Sequence, residues 1–76
     1  MDLEQAASGV TDDQFNLIQT VLNVSRNGHP PTSELVKKVG SLIQSGLVRL
    51  KANGDLEVPA EAQQALARNG RLLRVR

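Results

Sequence analysis

Hydrophobic residues recur at helical spacing in the segment that follows residue 11. They form a stripe that covers about half of a helix surface, and its members are Phe15, Leu17, Ile18, Val21, Leu22 and Val24. Thr11 fits the N-cap position, Gln14 completes a capping box, and two acids occupy the first turn. The pattern predicts a helix over residues 12–26 that ends before Gly28 and a Pro-Pro pair.

The opposite face of this helix carries uncharged polar residues, which are Asn16, Gln19, Thr20 and Asn23. Solvated helix faces usually carry Lys and Glu, so this amide-rich face is either plain solvated surface or a contact surface.

A second helical pattern predicts a helix over residues 33–45, capped by Thr32 or Ser33 and ended by Gly46. Its apolar side is expected to face the core and comprises Leu35, Val36, Val39, Leu42 and Ile43. Its other side presents Lys37, Lys38, Ser41, Gln44 and Ser45, together with Glu34. Gly40 lies at the boundary of the two sides, where it costs up to about 1 kcal/mol relative to Ala. It either allows close packing or marks a small bend.

Two short alternating runs then flank an Asn-Gly turn in the sequence RLKANGDLEV, residues 49–58. A two-residue loop would place charged and apolar residues on the same face of the hairpin. A three-residue loop over residues 52–54 pairs Val48 with Val58, Arg49 with Glu57, Leu50 with Leu56 and Lys51 with Asp55. This register turns every apolar residue toward the core and sets opposite charges across the strands. It requires Gly54 in the left-handed conformation, with a bulge.

The remaining segments complete the predicted organisation. Pro59 opens a third helix over residues 60–68, which turns Ala62, Ala65 and Leu66 inward and ends at an Asn-Gly pair. Residues 1–10 hold little bulk and are predicted to be a flexible arm, so the domain covers residues 11–70. The end of the chain, RLLRVR, alternates apolar and basic residues and is either a third strand or a basic tail over residues 71–76.

Composition limits the classes of protein that remain. The chain has 76 residues, enough for one domain, and no cysteine, which excludes a disulfide or a thiolate metal site. No segment approaches the roughly 18 apolar residues of a membrane span, and the acidic N-terminus argues against a signal peptide. We therefore expect a cytoplasmic protein, whose compact form suggests a bacterial or phage source.

Charge is unevenly distributed along the chain. Residues 1–25 hold four acids and no Lys or Arg, for a charge of −4, whereas residues 26–76 hold nine bases and four acids, for a charge of +5. This asymmetry points to a polyanion or an acidic protein surface as the partner.

The segment from Leu42 to Arg49, followed by the turn at Ala52–Asp55, resembles the exit of the recognition helix and the wing of winged-helix DNA-binding domains. The resemblance covers roughly residues 33–67 and implies an α+β fold of order α-α-β-β-α, with a possible short C-terminal strand. Only one helix lies between the Pro-Pro connector and the hairpin, so the expected domain is a reduced form of that family. The resemblance implies that this helix enters the major groove of DNA.

Two functions outside enzymology follow from these observations. One histidine, with no cysteine or tyrosine, leaves no nucleophile and base pair, so no enzyme, cofactor or metal site is expected. The first function is a small transcriptional regulator that binds double-stranded DNA. The alternative is a protein-binding regulator that docks on RNA polymerase or another transcription component through an acidic surface. The candidate contact residues are Lys37, Lys38, Ser41, Gln44, Arg49, Lys51, Arg68, Arg71, Arg74 and Arg76. The hairpin pairs its own charges, so we expect the second helix and the tail to contribute more than the hairpin.

Overall fold

Five helices and one antiparallel hairpin make up the fold of residues 3–74, the part of the chain that the computed structural model describes. The helices are α1 (Leu3–Ser8), α2 (Asp12–Arg26), α3 (Ser33–Lys38), α4 (Gly40–Ser45) and α5 (Ala60–Arg68). The strands are β1 (Arg49–Leu50) and β2 (Leu56–Glu57), which lie between α4 and α5 and form a two-stranded sheet. The domain is therefore of the α+β class, as the sequence predicts.

The central helix α2 has the predicted bounds and the predicted cap. The Thr11 hydroxyl accepts from the Gln14 backbone N–H at 3.1 Å, and the Gln14 side-chain oxygen accepts from the Thr11 backbone N–H at 3.0 Å. Ile18, Val21 and Leu22 are buried, so the predicted apolar stripe faces the core. The buried side chains of α2 meet those of α4, the hairpin and α5 in one hydrophobic cluster.

The prediction of a flexible arm over residues 1–10 is wrong for the residues that the structure describes. Residues 3–8 form α1, which packs on α5, and Ala7 and Val10 are buried in the core. The small side chains of this segment, from which a flexible arm was predicted, instead favour close packing of α1. Because α5 also buries two alanines at the core, Ala62 and Ala65, the two helix backbones can lie close together.

The second predicted helix is interrupted at Val39, which separates α3 from α4. Val39 has φ −95° and ψ 10°, outside the helical range, although its N–H still donates to the Leu35 carbonyl at 3.1 Å. The chain thus bends one residue before Gly40. A small bend at Gly40 was one of the two predicted alternatives, and close packing was the other. Thr32 supplies the cap of α3, since its hydroxyl accepts from the Leu35 N–H at 3.2 Å. No residue of α3 is fully buried, whereas α4 buries Leu42.

The hairpin has the derived register. Arg49 pairs with Glu57 and Leu50 with Leu56, and Gly54 has a φ of +92° that favours glycine. Lys51 lies opposite Asp55 as predicted, since its backbone N–H donates to the Asp55 carbonyl at 2.8 Å, while its ammonium lies 3.6 Å from the Glu57 carboxylate. One detail of the prediction is wrong: Leu50 does not face the core but is 47% exposed, although Leu56 opposite it is buried.

The helix α5 has the bounds predicted from the sequence, and Gly70 follows it with a φ of +77°. Residues 71–74 form no strand and lie against α2 instead. The Arg71 N–H donates to the Leu66 carbonyl, and residue 74 bonds to a side chain rather than to a neighbouring strand. Of the predicted tail or strand, residues 75 and 76 lie outside the described part of the chain.

Candidate functional site

A polar face on the helix pair α3–α4 brings together four of the predicted contact residues. Lys37, Lys38, Ser41 and Gln44 are all exposed on these two consecutive helices. Within residues 3–74, neither lysine forms an ion pair. We call these four residues the polar helix face.

The orientation of the polar helix face follows from what the opposite side buries. Val39 and Leu42 are at most 2% exposed, and they hold the pair against the core. Leu35 and Ile43 pack partly against the same cluster. Because these apolar side chains occupy the side of α3 and α4 that faces the core, the polar residues of the two helices remain exposed to solvent.

The hairpin that follows presents two further cations next to one acid. Arg49 and Lys51 lie 3.4 Å and 3.6 Å from the two carboxylate oxygens of Glu57, and their side chains stay 60% and 45% exposed. The second acid, Asp55, lies outside these ion pairs, and its carboxylate accepts from the Asn53 side chain at 3.2 Å. Arg49 and Lys51 are balanced by Asp55 and Glu57, so the hairpin carries no net charge.

The C-terminal arginines are arranged differently, because two of them bind acids of the N-terminal region. Arg68 donates through Nε to the Glu4 carboxylate at 2.6 Å. Arg71 donates to Asp12 at 2.5 Å and to the Val10 carbonyl at 3.1 Å. Acidic and basic residues from the two halves of the sequence thus partly neutralise one another inside the molecule. The sequence had instead predicted that the basic residues would meet an external acidic partner.

Arg74 is fixed by its backbone, through a contact that sequence reasoning missed. Its N–H donates to Gln19 Oε1 at 2.7 Å, and its carbonyl accepts from Gln19 Nε2 at 2.9 Å. Gln19 Nε2 also lies 3.1 Å from Asn23 Oδ1. Part of the amide-rich face of α2 therefore holds the protein's own C-terminal segment. The absence of charge on this face indicated a possible contact surface in the sequence. The sequence did not indicate that the C-terminal segment of the same chain would bind there.

The ten predicted contact residues thus fall into separate places. Four form the polar helix face, two lie on the hairpin, three lie at or after the end of α5 in contacts with the N-terminal half, and Arg76 lies outside the described residues.

Open clefts lie at the surface formed by residues 3–74, and three of them bear on the site. One of about 470 Å³ is lined by the amides of α2 and by Arg74. A second, of about 370 Å³, lies between α2 and α3 and is largely apolar, with Leu17, Val24 and Leu35 in its wall. The third, of about 230 Å³, separates the α1–α2 junction from α4.

Across residues 3–74, no group of three or more His, Asp or Glu side chains is placed to hold a metal ion. Nor does this part of the chain contain a helix long and apolar enough to cross a membrane. No protein-family model matches the chain, and neither a curated protein nor a solved structure was found to match it.

Proposed function

We propose that this protein is a small, non-enzymatic transcriptional regulator that binds double-stranded DNA through a reduced winged-helix domain. The observation that carries the proposal is the polar helix face, which precedes the hairpin directly and keeps two lysines outside any ion pair of the described chain. Such a regulator acts in the cytoplasm.

The residue types on this face suit the two tasks of a DNA-binding helix. Lysines such as Lys37 and Lys38 neutralise phosphates and release counterions, which provides affinity without sequence preference. Ser41 and Gln44 offer a hydroxyl and an amide, the groups that hydrogen-bond to base edges in the major groove. The exposed guanidinium of Arg49 and the ammonium of Lys51 on the adjoining hairpin could contact phosphates in exchange for their present partner, Glu57.

The test is binding of a fluorescent mixed-sequence duplex, measured by anisotropy as salt is raised. We expect an affinity in the micromolar range at low salt that falls steeply with salt, because each neutralised phosphate adds about 0.9 to the logarithmic slope. The double variant K37A/K38A should lose most of the affinity while keeping the unfolding midpoint of the wild type.

Two controls accompany this variant. K37R/K38R preserves the charge and should bind as the wild type does. R49A/K51A removes the same charge from the hairpin and should weaken binding less than K37A/K38A does. Absence of binding at low salt would contradict the proposed function, and unchanged affinity in K37A/K38A would remove the polar helix face from it.

A second candidate function rests on the exposed apolar groups. Leu50 is 47% and Leu72 74% exposed, and the cleft between α2 and α3 is lined largely by apolar side chains. These features favour a protein-binding regulator, for example one that docks on RNA polymerase or another transcription component. A pull-down from bacterial lysate after nuclease treatment should then retain a stoichiometric partner that is lost with L50D. Retention of nothing would count against this candidate.

A further inference from the structure

A carboxylate, a backbone carbonyl and an aromatic ring contact the guanidinium of Arg71. Besides the ion pair with Asp12, its guanidinium donates to the Val10 carbonyl at 3.1 Å and lies 5.6 Å from the centroid of the Phe15 ring. The carbonyl and the ring orient the guanidinium without neutralising it. Only Asp12 supplies a compensating charge, and the Asp12 side chain is 88% exposed.

Val10 links this arrangement to the polar helix face. Its carbonyl binds Arg71, and the residue also lines the small cleft that separates the α1–α2 junction from α4. Ser41 of the polar helix face lines the same cleft from the other side. This shared neighbour is the basis for considering Arg71 together with the proposed DNA contacts.

We propose that Asp12 is an internal competitor of DNA phosphate for Arg71, so that this ion pair holds the DNA affinity of the protein down. The inference rests on the proposed function and adds a regulatory contact to it. A phosphate that replaces the Asp12 carboxylate meets a guanidinium already positioned by Val10 and Phe15. Because the pair is exposed on the Asp12 side, solvent screens it, and the exchange is accessible at ordinary salt.

The sequence supplies a matched control for the test. Asp13 follows Asp12 in the first turn of α2, is exposed, and forms no ion pair within the described chain. D12N and D13N change the net charge equally and alter the same helix end. Only D12N removes the charge that faces Arg71, while the amide retains an acceptor oxygen for the guanidinium.

The experiment measures duplex affinity and its salt dependence for the wild type, D12N, D13N and the double variant D12N/R71A. We expect D12N to bind about two- to fivefold more tightly than D13N at low salt. The salt slope of D12N should be steeper than that of D13N by about 0.9, the contribution of one phosphate contact. D12N/R71A should return to the slope of the wild type.

The outcomes separate this inference from the proposed function. Equal affinity and slope in D12N and D13N, with a wild type that binds DNA, would overturn the inference and leave the proposed function intact. Tighter binding and a steeper slope in D12N, but not in D13N, would support the inference. Absence of binding in every variant would overturn both. Thermal unfolding of each variant verifies that the comparison concerns folded protein.

Discussion

The molecule divides into two regions that differ in how their polar groups are used. In the first, made of α1, α2, α5 and residues 71–74, opposite charges meet one another and a glutamine side chain holds the last described residue. In the second, made of α3, α4 and the hairpin, two lysines have no ion-pair partner in the described chain, and a leucine is half exposed. We call the first the packed frame and the second the exposed unit.

Burial differs most between α5 and α3. Three side chains of α5 are completely buried, whereas α3 buries none, although Leu42 of α4 and Leu56 of the hairpin belong to the same core. The packed frame pairs two of its arginines with its own acids, which leaves those side chains less available to a partner. The two lysines of the exposed unit remain available, and for this reason the proposed DNA contacts lie there although the packed frame holds more arginines.

The largest expected difference concerns one leucine in each region. Leu66 of α5 is fully buried, and Leu50 of β1 is 47% exposed. We expect L66A to lower the free energy of unfolding by about 2–5 kcal/mol, the range for a leucine removed from a core. L50A should cost about 1 kcal/mol or less, since nearly half of the side chain is already exposed. Urea unfolding of both variants measures the contrast, and equal losses would refute the division into two regions.

A second prediction concerns the backbone at the end of α4. Gly46 has a φ of +90°, a conformation that costs an L-residue about 1–2 kcal/mol. G46A should lower the free energy of unfolding by that amount, although a β-carbon there would meet only Leu3 Cδ1 at an ordinary 3.7 Å. The loss would therefore report strain rather than a steric clash. A stability equal to that of the wild type, by the same urea titration, would show that the turn relaxes.

Local rules account for the parts of the fold that were predicted from the sequence. The cap at Thr11, the start of α5 after Pro59 and the hairpin register around Gly54 depend on residues only a few positions apart. Each is determined by hydrogen bonding or backbone sterics that adjacent residues supply. The interruption at Val39 is less determined, since Gly40 weakens the helix without fixing where it bends.

The parts that were missed depend on contacts distant in sequence. The folding of α1 depends on the alanines of α5, and the exposure of Leu50 depends on where the core ends. For the candidate site, the polar side of the second helix could be predicted from periodicity. The engagement of Arg71 by Asp12 could not, because charge asymmetry along a chain does not say whether its two halves meet.

A third prediction tests the contact that closes the packed frame. Gln19 accepts from and donates to the backbone of Arg74, and the variant Q19A removes both bonds. We expect a loss of about 1 kcal/mol in the free energy of unfolding and faster hydrogen exchange at the Arg74 amide. The control N16A changes an exposed amide of the same helix whose side chain makes no hydrogen bond in the described structure. Slow exchange in Q19A would mean that the segment is held by other contacts.

The smallest expected effect is a gain in the exposed unit. Gly40 begins α4, has an ordinary backbone conformation, and a β-carbon built on it would meet nothing within 4 Å. G40A should therefore raise the free energy of unfolding by about 0.5–1 kcal/mol, because alanine loses less backbone entropy in a helix. The gain would be measured by urea unfolding, with G46A as the opposite case. If G40A instead destabilises the protein, the bend at Val39 needs the freedom of the next residue. The interruption between α3 and α4 would then depend on glycine at position 40, and it would be required for the geometry of the polar helix face.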